Sequence, residues 1–208
     1  DFRDQMISAE VKWLDAAVYT HAHADHIHGI DDLRGYWLSQ RRLSDIHADM
    51  ETLERLREGF GYCFETPKGS AYPPIVAPHV IDHHAAFDVS GNGGVIRFEP
   101  LVQQHGSILS LGFRIGSFAY CPDVSDFPAA TVEKLQGLDV LVIDALQHRP
   151  HPSHLSLDES VAWIERLKPK QAILTHMHTP LDYDETARSL PAGIVPGFDG
   201  LTLEIQTD

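Results

Sequence analysis

The chain has 208 residues, 43% hydrophobic and 22% charged, an ordinary globular composition that excludes collagen-like, low-complexity and wholly disordered classes. Sixteen Lys and Arg stand against thirty Asp and Glu, and the formal charge of −14 argues against a general binder of nucleic acid or anionic membrane. Fourteen histidines are the compositional anomaly, and bound divalent cations would offset part of the acidity.

A single domain over residues 1–208 is expected, because a chain of this length buries roughly 70% of its unfolded surface without help from disulfides. Cys63 and Cys121 read as reduced, partly buried thiols, which fits a cytoplasmic protein. No apolar run is long enough to span a bilayer, and there is no signal-peptide pattern. The chain opens on Asp1 rather than on a methionine, so a longer parent protein is expected.

Phe2, Met6, Ile7 and Val11 fall near one face of a helix predicted over residues 2–12. Leu14 to Thr20 reads as a buried strand, followed by a His-rich turn and a helix through about Gln40. A short strand is predicted at Asp45–Ala48 and a helix at Glu51–Arg57. Residues 61–78, rich in proline and without a clear period, read as a long surface loop. Strands are then expected in HVIDHH, VIRFEPLVQQH and LGFRIGSFAY, with a turn at Gly91–Gly94. That turn lacks the glycine spacing of a phosphate-binding loop. A helix near 128–136, a strand at 139–144, a helix at 157–167 and a strand at 171–175 alternate in α/β fashion. Two short strands around a Gly-rich turn are expected in GIVPGFDGLTLEI.

The chemistry concentrates in His21-Ala22-His23-Ala24-Asp25-His26, directly after the strand that ends at Thr20. Neutral imidazole and carboxylate suit zinc, manganese or iron. Turn geometry lets His21 and His23 face one ion while Asp25 and His26 face another. A second histidine cluster, His148-Arg149-Pro150-His151-Pro152-Ser153-His154, precedes the helix that opens near Ser156. His148, Arg149 and His151 are candidate phosphate contacts. His28 and His178 flank ligand positions and could orient them, whereas His47, His79, His83 and His84 read as structural. No G-x-S-x-G elbow is present, which argues against a serine hydrolase.

T-H-A-H-A-D-H (residues 20–26) resembles the signature of the metallo-β-lactamase superfamily of di-metal hydrolases. His105, Asp123 and His176, each after a strand, look like that family's later ligands, with His176 preferred to His178 because it directly follows Thr175. The resemblance implies two divalent ions, zinc or manganese. One would be held by His21, His23, His105 and Asp123, and the other by Asp25, His26, His176 and the shared Asp123. It also implies a metal-bridged hydroxide as nucleophile and a four-layer αββα sandwich, here without its first N-terminal strands and with an exposed sheet edge. H-A-D-H-I-H-G-I-D-D-L-R (23–34) and V-P-G-F-D-G-L (195–201) are similar to the phosphodiesterase branch, which contains the tRNA 3′-processing endonuclease and the phosphoribosyl cyclic phosphate phosphodiesterase. A histidine placed like His154 protonates the leaving oxygen there, so His154 and Asp25 are the catalytic candidates. The expected substrate is a small cyclic phosphodiester or nucleotide, with no membrane partner, no polymeric nucleic acid and a homodimer as the expected assembly if any. The alternatives are hydrolysis of a thioester, lactone or β-lactam at the same metals, and a nucleotide-binding module without turnover.

Overall fold

A computed structural model describes residues 2–205, which form two compact units that divide in sequence at Val95 and Ile96. The first unit carries a parallel three-stranded sheet of order β1 (Ala16–Val18), β2 (Ser44–Ala48), β3 (Val76–Val80). Strand β2 shows why it forms: Ser44, Ile46 and Ala48 are buried on one face, while Asp45 and His47 alternate onto the other. Ile46 and Ala48 join Ile27, Ile30, Leu33, Leu53 and Leu56 in this unit's core.

Helix α1 (Phe2–Ser8) ends before residue 12, because Glu10 turns left-handed at φ 53° and Val11 N–H reaches back to the Met6 carbonyl. The helix expected through Gln40 is broken into α2 (Ala24–Ile27), a tight 3₁₀ segment (His28–Leu33) and α3 (Arg34–Gln40). Ile30 and Leu33 are both fully buried, and a three-residue period stacks positions i and i+3 on one side. Helix α4 (Met50–Phe64) starts at Asp49, whose Oδ1 accepts the Thr52 N–H at 2.9 Å. It runs into the stretch expected as loop, because buried Cys63 continues the face of Leu53 and Leu56. Ile75 N–H donates to the Cys63 carbonyl at 2.8 Å and leads the chain into β3, so only residues 65–75 remain irregular. Strand β4 (Phe87–Gly91) follows, with the expected turn at its end.

The second unit is built on a sheet whose strands run in the order β10 (Ile194–Pro196), β9 (Gln171–Thr175), β8 (Val140–Asp144), β7 (Phe118–Cys121), β6 (Ile108–Ile115), β5 (Gly94–His105). β5, β6 and β7 are antiparallel neighbours, and β7 to β10 are parallel. The run LGFRIGSFAY is two strands rather than one. Gly116-Ser117 makes a two-residue turn between β6 and β7, as Gly106-Ser107 does between β5 and β6, and both glycines supply the positive φ such turns need. Leu141 and Ile143 of β8 are fully buried in one cluster with Ile164 and Leu167 of α6 (Leu157–Leu167), a burial worth about 1.5–3 kcal/mol per side chain. The other helices of the unit are α5 (Ala129–Lys134) and α7 (Tyr183–Ser189). The sequence reading missed α7, although Asp182 caps it by accepting the Glu185 N–H. Of the two strands expected near the C-terminus, the described residues form only β10.

The sheet decides where chemistry can gather. β7, β8 and β9 are parallel, and β5 runs with them because two antiparallel steps restore its direction. His105, Asp123, Asp144 and His176 therefore all leave the same end of one sheet, the carboxyl end where α/β folds bind ligands.

Candidate metal centre

In the first unit the donors sit on one turn. His23 takes an extended N-cap conformation (φ −69°, ψ 151°) and starts α2. The His21 ring centroid lies 4.7 Å from that of His23 and 4.3 Å from that of His26. His21 is buried, and its Nδ1 lies 3.1 Å from the Thr20 hydroxyl. Asp25 is 63% exposed, with Oδ2 3.3 Å from His26 Nε2. Neutral imidazoles and a carboxylate gathered on one turn suit divalent cations. His28 instead packs edge-on against Phe60, and Arg34 pairs with Asp31 at 3.3 Å. His79 and His83 pair with Asp45 and Asp49, and His47 stacks on His79 and Phe87, so these histidines serve packing as expected.

In the second unit the donors come from separate strands and converge. Asp123, 2% exposed, presents Oδ2 at 3.7 Å to His105 Nε2 and Oδ1 at 3.5 Å to His176 Nε2. One carboxylate thus faces two imidazoles, one with each oxygen. His105 Nδ1 donates to the Ser153 carbonyl at 2.6 Å, which places the lone pair on Nε2 and aims it at Asp123. The turn that carries Asp123 is fixed from behind. Ser110 donates to the Asp123 carbonyl at 2.8 Å, and the buried Gln103 amide donates to the Pro122 carbonyl at 2.7 Å. Asp123 and His176 both hold positive φ, 43° and 58°, without being glycine. Such backbone costs about 1–3 kcal/mol per residue and gathers at functional sites.

His154 stands beside this pair. Its ring stacks on His176 at 4.9 Å and meets His105 edge-on at 4.6 Å. Its Nδ1 donates to Asp144 Oδ2 at 2.8 Å, an oxygen that also accepts the Val124 N–H at 3.0 Å. Asp144 is fully buried, and its other oxygen lies 3.9 Å from His176 Nδ1. Asp144, His154 and His176 offer ligand atoms within 4.8 Å of one another. The sequence reading passed over Asp144. Its signal is a carboxylate that ends the apolar run VLVI, since an Asp is almost never fully buried without a partner.

His151 lies next to His154, with ring centroids 5.2 Å apart, and its Nδ1 accepts from the Ser153 N–H. His148 and Arg149 are exposed on the same loop. His178 uses its backbone N–H on the Leu146 carbonyl, and of His176 and His178 it is His176 that lies at 3.5 Å from Asp123. Burial and the nearby Asp123, Cys121 and Asp144 push the Tyr120 hydroxyl up to about 12, and burial pushes the Cys121 thiol up, so neither offers an anionic nucleophile at neutral pH.

The donor set fits divalent metal ions. Two donors at about 2.0–2.2 Å from one ion in tetrahedral array stand about 3.3–3.6 Å apart, close to the Asp123–histidine separations. The fixed tautomer of His105 is the one a ligand needs.

Comparison with known proteins agrees. The family model described as "Beta-lactamase superfamily domain" matches residues 1–177. The chain belongs to this superfamily. Its fold, sheets flanked by helices, is the metallo-β-lactamase fold. A solved structure described as a new diphosphatase from the PhnP family is 40% identical, with a TM-score of 0.87 over 100% of this chain and 78% of that one. Human tRNase Z, short form, shares the fold at 14% identity and a TM-score of 0.63, over 91% of this chain and 78% of that one. An octanoyltransferase from Porphyromonas gingivalis is 32% identical over 206 residues, 97% of this chain. The chain spans 40% of that curated relative's length. Superfamily, fold and donor set agree with the branch that the sequence resembles.

Proposed function

We propose that the chain hydrolyses a small phosphodiester or nucleotide. The observation that carries this reading is His154, held by buried Asp144 and stacked on His176. A phosphodiester releases a poor leaving alkoxide that needs a proton, and histidine is the side chain best placed to give one near neutrality. The diphosphatase relative supports phosphorus–oxygen chemistry over acyl chemistry.

His21, His23, Asp25 and His26 of the first unit, and His105, Asp123 and His176 of the second, would serve as the ligands of divalent ions, zinc or manganese. When bound, such ions polarise the phosphoryl group and acidify a water to the point of attack at neutral pH. Nε2 of His154 gives its proton to the leaving oxygen as the phosphorus–oxygen bond breaks. Asp144 keeps that nitrogen aimed outward and stabilises the protonated ring. Asp25, the exposed carboxylate of the turn, accepts the proton of the attacking water. His151, with His148 and Arg149 on its loop, binds the non-bridging oxygens.

The test uses metal-stripped protein reloaded with Mn²⁺ or Zn²⁺, with bis(p-nitrophenyl) phosphate and an alkyl nucleotide diester as substrates. Turnover of both is expected on reloading. His154→Ala should lose about 10²–10⁴-fold on the alkyl ester and much less on the aryl ester, whose leaving group departs unaided. Two bound metals without turnover of either ester, beside hydrolysis of a thioester or lactone, would overturn the reading. Nucleotide binding with no hydrolysis at all would leave a sensor.

A further inference from the structure

The second unit holds a cleft of about 460 Å³ with His176 in its wall. Phe118, Val142 and Ile173 line it from the sheet, Met177 follows His176, and Phe198, Asp199 and Leu201 line it from the C-terminal segment. Its size lies within the range of small-molecule sites. Phe198 is 56% exposed, with the partly exposed Tyr183 edge-on at 6.2 Å. The segment that carries Phe198 is held tightly. Gly197 N–H donates to the Leu174 carbonyl at 2.8 Å, and a Cβ at Gly197 would come within 2.9 Å of that oxygen. Phe198 is thus an aromatic side chain kept half in water on a fixed support, at the edge of this cleft.

The surroundings of the stacked His154–His176 pair are lopsided. On the His154 side lies the loop with His148, Arg149 and His151, polar and cationic. On the His176 side lies the cleft, whose lining mixes aromatic and aliphatic side chains with Thr175 and Asp199. A ligand that uses both ends carries an anionic group at one end and, at the other, a flat group with an apolar face and a polar edge. We propose that this cleft is the base subsite of a nucleotide, with Phe198 stacking on the nucleobase. The inference rests on the phosphodiesterase reading for the position of the phosphate, but base recognition is measurable without turnover.

The probes are AMP and ribose 5-phosphate, titrated by calorimetry into the Zn²⁺-loaded full chain. Both offer the same phosphate and sugar, and only AMP carries a base. Base–aromatic stacking should make AMP bind at least about tenfold tighter. Phe198→Ala should bring AMP to the affinity of ribose 5-phosphate while leaving ribose 5-phosphate unchanged. Phe198→Tyr, which keeps a ring, should restore the difference. Equal affinity of the two probes, or failure of AMP to bind, overturns the base subsite. So does an AMP preference that Phe198→Ala leaves intact, because the base then sits elsewhere. If AMP is preferred through Phe198 and no phosphodiester is cleaved, the subsite stands and the hydrolase reading falls. Turnover with equal binding removes the subsite alone.

Discussion

The two units supply donors in opposite ways. In the first, four donors come from residues 21–26, one turn at the start of a short helix, and Asp25 stands 63% exposed. In the second, they come from residues 105 to 176, and specific partners fix His105 (the Ser153 carbonyl) and the Asp123 turn (Ser110 and Gln103), as Asp144 fixes the neighbouring His154. A local cluster is cheap to encode because the chain itself brings the side chains together. A dispersed cluster has to be assembled by the sheet and then fixed by polar contacts, and the backbone strain at Asp123 and His176 is part of its cost. The second unit should accordingly tolerate less change than the first.

The largest expected effect is at Asp123, which offers one oxygen to each of two histidines. Asp123→Asn should lower the metal content per chain, measured by elemental analysis, and reduce kcat/KM by well over the ~100-fold upper end for losing a group that only supports a ligand. His23→Ala, on the exposed local turn, should cost less in both measurements. An equal or larger loss for His23→Ala would break the contrast between assembled and local donors.

Asp144→Asn comes next. It keeps the shape of the side chain and removes the charge that orients His154. The expected drop in kcat is about 10–100-fold, the range for outer partners of functional histidines, with KM little changed. The loss should be greater for an alkyl leaving group than for p-nitrophenolate. A uniform loss for both leaving groups would assign Asp144 a purely structural role.

The same contrast explains what the sequence disclosed. H-x-H-x-D-H is legible because its donors are contiguous, and the family resemblance supplied His105, Asp123 and His176 by their order after strands. Asp144 was not legible, because its partner lies ten residues on and only a turn of the chain brings His154 back to it. The alternation of α6, β8 and β9 was readable from apolar periodicity. The split of β6 from β7 was missed because the Gly116-Ser117 turn is only two residues long and interrupts an otherwise continuous apolar run. The extension of α4 was missed because buried Cys63 lies among residues that look like loop. At Asp144 and in the extension of α4, tertiary packing rather than local propensity decided the outcome.

The smallest expected effect concerns how each unit starts its long helix. Asp49 begins α4 by accepting one N–H, whereas Ser156 begins α6 within a reciprocal capping box. The Ser156 hydroxyl accepts from Glu159 N–H, and Glu159 Oε2 accepts from Ser156 N–H at 2.8 Å. Ser156 lies two residues after His154, so its cap also sets where the histidine loop ends. Ser156→Ala should cost about 1 kcal/mol. For a chain of this size that is a fall in Tm of about 2–4 °C. If the cap serves only the helix, kcat on the alkyl diester will hold while Tm falls. If it also fixes the register of His154, kcat will fall on the alkyl ester and hold on the aryl ester, the same selectivity expected of Asp144→Asn at a fraction of its size. The second pattern would extend the polar framework of the second unit from the donors themselves to the helix end that follows them.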